Sequence, residues 1–103
     1  MAISIDTRFY QQVAANNSAT NEHVPANGKK VYIYEIGGNS CFDSDVKVEI
    51  KFGTDILFST HGDSVQKVSI KLVGDGEKVL AINLVNDASI SQTIGGFYNG
   101  TET

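Results

Sequence analysis

Between Asp45 and Val85 apolar and polar residues alternate closely enough to dictate the class of fold. Val46, Val48, Ile50 and Phe52 interleave with Lys47, Glu49 and Lys51, and past Gly53-Thr54-Asp55 a short apolar return runs from Ile56 to Phe58. Val68, Ile70 and Leu72 interleave with Lys67, Ser69 and Lys71, and beyond Gly74-Asp75-Gly76 come Leu80, Ile82 and Leu84. A period of two sends successive side chains to opposite sides of an extended backbone, so each run is a strand with one dry and one wet face. The runs read as two back-to-back hairpins, with Asp75 and its flanking glycines turning the second. The class is all-β.

At 103 residues the chain is one domain with room for a single core. Each inward apolar side chain gains about 2 kcal/mol on burial, an upper value because denatured chains already hide part of that surface. The net charge is −4, and the basic residues stand singly along the strands. Nucleic-acid binders gather theirs into one patch, so that partner is not expected. Cys41 is the single cysteine, which excludes an internal disulfide framework and fits synthesis in a reducing cytoplasm. No basic run followed by an apolar stretch opens the chain, and no segment reaches the length of a membrane span. Neither a secretory route nor a membrane partner is expected.

Residues 1 to 28 differ in kind from the rest. Ile3 and Ile5 alternate with Ser4 and Asp6, and Phe9, Tyr10 and Val13 follow. The segment Ala14-Ala15-Asn16-Asn17-Ser18-Ala19-Thr20-Asn21 is small, polar and without period. Such a stretch buries too little apolar surface to offset its ordering entropy. Residues 1 to 28 therefore read as an extended, partly flexible N-terminal arm, with residues 29 to 103 as the sheet domain. Ile3, Ile5, Phe9 and Tyr10 would dock the arm on a neighbouring subunit, against the plainer reading of a frayed terminus.

Two strands break the alternation. Val31, Tyr32, Ile33, Tyr34 and Ile36 put apolar groups on both faces of one, and Val79, Ala81 and Val85 do so for another. Strands of this kind are central in a covered sheet, or carry a face that something else covers. Left open, they form a patch of the sort that marks interaction sites. Phe97 and Tyr98, near the C-terminus, follow Gly95-Gly96, and an extended segment would turn at least one of them outward.

The loops carry no motif that performs chemistry. Gly37-Gly38 fits neither a dinucleotide fingerprint nor a phosphate loop and reads as a turn. Gly95-Gly96 reads as a bulge that lets a closing strand bend. Cys41 lacks a base placed by sequence and reads as a structural thiol. Asp43 and Asp45 lack the spacing of a calcium loop and read as solvated turn residues. Thr60-His61-Gly62-Asp63-Ser64 gathers a hydroxyl, an imidazole and a carboxylate. Members of a nucleophilic triad converge from separate parts of a fold, however, and neighbours on one loop point apart. That stretch reads as a connection with Gly62 at positive φ. No catalytic residue, cofactor or metal is expected.

Counting the runs gives about seven or eight strands, an antiparallel β-sandwich of jelly-roll or immunoglobulin-like order, with a barrel as the second choice. The tethered arm, the Gly-rich turns, the missing signal peptide and the closing Gly95-Gly96-Phe97-Tyr98 stretch together resemble the small β-sandwich accessory proteins of tailed-bacteriophage virions, which decorate heads or build necks and tails. The likeness spans residues 29 to 102 as the sheet domain and residues 1 to 28 as the arm. It rests on no diagnostic motif, so it carries no residue roles. It implies a non-enzymatic structural protein located in the virion, self-associating as a homo-oligomer or bound to the lattice of a major virion protein. The candidate interface residues are Ile3, Ile5, Phe9, Tyr10, Tyr32, Tyr34, Val79, Val85, Phe97 and Tyr98. The alternative is a carbohydrate-binding sandwich in host recognition, with Tyr32, Tyr34 and Tyr98 as stacking surfaces. The absence of tryptophan weighs against it.

Overall fold

In the computed structural model, which describes residues 2–39 and 45–103, the alternating runs become strands. They are β1 (Ile3–Val13), β2 (Asn17–His23), β3 (Lys30–Asn39), β4 (Val46–Phe52), β5 (Asp55–Thr60), β6 (Ser64–Val73), β7 (Leu80–Asn86) and β8 (Gln92–Glu102). They form two four-stranded sheets, in the orders β1-β8-β3-β6 and β2-β7-β4-β5. All observed pairings are antiparallel.

The pairings nest. β4 pairs with β5, β3 with β6, β2 with β7 and β1 with β8, as in one long hairpin bent over on itself. Contacts of β3 with β8 and of β4 with β7 then stitch each sheet together. This is the jelly-roll form of the antiparallel sandwich. The immunoglobulin-like order and the barrel are not adopted. Of the two expected hairpins only β4–β5 is one. β6 and β7 lie in different sheets, so the segment at Gly74-Asp75-Gly76 carries the chain across the sandwich.

The inner faces make one core. Val48 and Ile50 of β4, Ile82 and Leu84 of β7, and Ile33 and Ile36 of β3 are fully buried between the sheets. The two strands that are apolar on both faces, β3 and β7, occupy the central positions available to them, each with a strand on either side. Central strands are flanked along both edges, so even their outward side chains are partly covered by neighbours. That is why Tyr32, Ala81 and Val85 are half-buried without any external cover, while Val79 is half-buried just before β7 and Tyr34, at the β3 irregularity, stays 52% exposed.

The N-terminal segment departs from expectation. Residues 3–13 pair with β8 along their whole length, Ile3 opposite Glu102 and Val13 opposite Gln92. Residues 17–23 pair with β7. In place of an arm, the segment supplies an outer strand to each sheet. Of the polar run from Ala14 to Asn21, residues 14–16 make the crossing between the sheets and residues 17–21 belong to an edge strand, from which Ala19 packs against the core. Asn16 takes φ 58° there, and the Asn17 N–H donates to Ala14 O at 3.2 Å. Backbone hydrogen bonds, which composition does not report, supply the ordering that side chains do not.

Both glycine pairs also differ. Gly37 and Gly38 continue β3 as far as Asn39, and no turn forms there. Gly95 and Gly96 lie within an unbroken register against β1. The irregularity falls elsewhere, between Ile33 and Glu35 of β3, where Tyr34 is the inserted residue relative to β8. Cys41 and Asp43 lie outside the described residues.

At the end of the sandwich holding the β1–β2 and β7–β8 connections, one buried polar side chain joins the parts. Asn86 Nδ2 donates to Val13 O and Ile90 O, both at 2.9 Å, and Asn86 Oδ1 accepts from the Ala88 N–H at 2.9 Å. Buried carbonyls left without a donor cost roughly 1–3 kcal/mol each. Asn86→Ala is therefore expected to lower stability by about 2–4 kcal/mol, read as a shift of the urea midpoint at unchanged slope. A change below the usual surface-substitution range of about 0.5 kcal/mol would contradict this role.

Candidate interaction face

The two outer faces of the sandwich differ. On the β2-β7-β4-β5 sheet, alternation turns Ser18, Thr20, Asn83, Lys47, Glu49 and Lys51 outward beside Ala81 and Val85. Thr20 Oγ1 donates to Asn83 Oδ1 at 3.0 Å, and Lys47 Nζ lies 3.4 Å from Glu49 Oε2. This face carries no outward aromatic ring; it is mostly polar, with Ile56 of β5, opposite Lys51, standing 60% exposed on it.

The outer face of the β1-β8-β3-β6 sheet carries aromatic rings. Register places Tyr10 beside Gly95, and Arg8, Phe97, Gly37 and Val65 in one row across all four strands. The glycines make room for the rings. A methyl on Gly95 would fall within the Tyr10 ring, and one on Gly37 would come within 3 Å of the Phe97 ring. Each ring therefore lies down on bare backbone. The Arg8 guanidinium covers Phe97 from the other side, 5.2 Å from its centroid, a distance at which a cation is attracted to the ring face. Phe97 is thus only 6% exposed despite facing outward, whereas Tyr10 is 48% exposed and Val65 63%.

Farther along the same face the chemistry becomes mixed. Tyr34 stands 52% exposed, its hydroxyl 3.2 Å from Thr101 Oγ1. Asn99 Nδ2 donates to Glu35 Oε1 at 3.2 Å, and Lys71 Nζ sits 6.0 Å from the Tyr32 ring centroid. The β3 irregularity lets Tyr34 and Glu35, neighbours in sequence, both reach this face.

The expected interface residues are thereby sorted. Tyr10, Tyr32, Tyr34 and Phe97 share this one face. Ile5 and Phe9 turn inward and pack half-buried against the core, so they do not form a docking arm. Tyr98 is 1% exposed and belongs to the core, because in a strand it must point opposite to Phe97; it is no stacking surface. Val79 and Val85 lie with the polar sheet, and Ile3 is exposed at the start of β1. Sequence reasoning did not single out Arg8 and Val65, and it took Gly37 for a turn and Gly95 for a bulge rather than as seats for rings. Their signal lies in cross-strand register, which spacing along the chain does not supply.

The loop with the hydroxyl, imidazole and carboxylate is a turn. Thr60 Oγ1 accepts from the Gly62 N–H at 3.1 Å, and His61 Nδ1 donates to Val46 O at 3.1 Å. Gly62 is not among the glycines at positive φ, which are Gly28, Gly53 and Gly76. Among the described residues no group of three His, Cys, Asp or Glu side chains converges, and no pocket opens.

Compared with known proteins, the chain matches no family model and no curated sequence.

The glycine pairs can be separated by substitution. Gly96→Ala would push a methyl to within 3 Å of Ile82 and Val48 inside the core, and is expected to cost about 1–3 kcal/mol. Gly95→Ala would displace only the Tyr10 ring on an outer strand, so it should cost less than about 1 kcal/mol while shifting the Tyr10 ring resonances. Equal losses in urea denaturation would refute the assignment of inner and outer faces.

Tyr98 supplies a pH test. Burial pushes its hydroxyl up from the ordinary value of 10.0, partly opposed by a hydrogen bond with Thr7. The fold thus prefers neutral Tyr98, and that preference is fully present below pH 10.0 and lost as pH rises through the raised value. Denaturation midpoints should fall at alkaline pH in the native chain and fall less in Tyr98→Phe. Identical alkaline profiles would contradict the burial.

Proposed function

We propose that this chain is a non-enzymatic structural protein of a tailed-phage virion, which associates with copies of itself and with the lattice of a major virion protein as a decoration or assembly component. The observation that carries the reading is the inequality of the two outer faces. One carries no aromatic ring and a single strongly exposed aliphatic side chain, Ile56; the other exposes Tyr10, Tyr34 and Val65 around a Phe97 ring laid on glycine. A ring-bearing sheet face suits broad contact with another protein surface, where aromatic and arginine side chains carry most of the binding energy. Jelly rolls serve as shell-building units in many viruses, which agrees with the reading at the level of fold alone.

A second reading draws on the mixed part of the same face. Tyr32 and Tyr34 stand beside Thr101, Asn99, Glu35 and Lys71. Rings flanked by hydrogen-bonding groups are the components of a sugar subsite, and lectins too use this architecture.

Variants on the two faces separate these readings. Tyr34→Lys and Val65→Lys should each weaken co-sedimentation with purified virion shells by about tenfold or more, with the thermal midpoint nearly unchanged. Thr20→Lys on the other sheet should leave co-sedimentation intact. Equal behaviour of the three variants would sink the assembly reading. A glycan-array signal abolished by Tyr32→Ala, without shell binding, would put the sugar reading in its place.

A further inference from the structure

The structure has four sheet edges, and three are guarded in ways that discourage pairing with another chain. β6 carries Lys67 and Lys71 and shifts register against β3. β5 has six residues and shifts register against β4. β2 has seven residues and ends in Glu22 and His23. Short strands, lysines and bulges are the usual protections of an edge. β1 is neither short nor bulged and carries no lysine, and its two charges, Asp6 and Arg8, are of opposite sign and lie 3.3 Å apart. It runs 11 residues without lysine, proline or glycine, and its register against β8 is unbroken.

The backbone groups at this edge can be assigned. Lys30 and Thr103 exchange both of their backbone hydrogen bonds. Alternation along β8 from Thr103 then directs Glu102, Gly100, Tyr98, Gly96 and Ile94 toward β1. Their partners Ile3, Ile5, Thr7, Phe9 and Gln11 spend their backbone groups on β8. Ser4, Asp6, Arg8, Tyr10 and Gln12 direct theirs away from the sheet. Beneath this edge the inward side chains of Ile5, Thr7 and Phe9 remain half-buried.

We infer that β1 pairs antiparallel with β1 of a second copy, about a two-fold axis through Thr7. In that register Thr7 faces Thr7, Asp6 faces Arg8 of the second copy, Ile5 faces Phe9 and Ser4 faces Tyr10. The outward-directed backbone groups of Ser4, Asp6, Arg8 and Tyr10 then meet as hydrogen-bonded pairs, and Thr7 with Thr7 and Ile5 with Phe9 become the closer, non-hydrogen-bonded pairs. Threonine with threonine, opposite charges, and an aromatic with a β-branched residue are the cross-strand pairs that stabilise sheets. Asp6 and Arg8 already approach within one copy, at 3.3 Å and each more than half exposed. The two-fold turns that pair into a ring of four alternating charges. The result is one continuous eight-stranded sheet whose ring-bearing face is doubled in width. This names one edge, one occupant and one register for the self-association in the assembly reading, on which it rests for its setting.

The test uses the full chain in sedimentation equilibrium across the micromolar range. The unaltered chain should form a dimer. D6R and R8D each set like charges opposite one another twice, and should each weaken dimerisation by at least about tenfold. The double exchange D6R/R8D should restore it. Independently of any variant, the amide hydrogens of Ser4, Asp6, Arg8 and Tyr10 should exchange slowly where the dimer forms and quickly on dilution. A monomer throughout, a dimer indifferent to D6R, a double exchange that stays monomeric, or fast exchange of those amides in the dimer would each overturn the inference. A monomer that still co-sediments with virion shells would overturn the dimer alone and leave the assembly reading standing.

Discussion

Two glycine pairs, far apart in sequence, meet on adjoining strands and set how the whole sandwich is spaced. Gly38 lies opposite Gly96 across β3 and β8. On the inner side a methyl at either position would strike Val48, and at Gly96 it would strike Ile82 as well. The two sheets can close on Val48 and Ile82 at this point because no side chain stands between them. On the outer side the other two glycines, Gly37 and Gly95, accept the Phe97 and Tyr10 rings. One patch of bare backbone thus serves both surfaces of a single sheet.

The same constraint links packing to the face offered to other molecules. Of the two rings seated on glycine, Phe97 is covered to 6% exposure and Tyr10 stays 48% exposed. Arg8, drawn over Phe97 of the neighbouring β8, covers that ring and sets a cation on the outer face of the sheet. Strong interfaces bury aromatic anchors beside arginine in otherwise even surroundings. The opposing sheet joins Lys47 to Glu49 and Thr20 to Asn83 and turns no aromatic ring outward. The molecule is therefore two-sided in chemistry although its two sheets have equal numbers of strands.

The alternation from Val46 to Leu84 was legible because burial on one face of a strand leaves a period of two in the sequence. The double-sided character of β3 and β7 was legible too, and both strands are central, although β4, equally flanked, turns Lys47, Glu49 and Lys51 outward. The N-terminal strands were not. β2 is an edge strand of small polar residues, held by backbone bonds to β7 that leave no trace in composition. The glycine pairs misled for a related reason. Glycine signals a turn when only the local chain is considered, but at Gly37 and Gly95 the missing side chain belongs to a ring from another strand. Tyr98 and Phe97 could be placed on opposite faces from spacing, yet which one faced the core depended on the register of β8 against β1.

Nesting has a consequence for how such a chain is made. The tight β4–β5 connection lies near the middle of the chain, and each successive pairing outward joins segments more distant from one another, ending with Ile3 against Glu102. Closing longer loops costs more entropy, so contacts form most readily from the middle outward. Of the eight strands, the one that leaves a ribosome earliest is thus the last to find its neighbour. Until β8 has emerged, β1 lacks its permanent companion and keeps both of its edges bare.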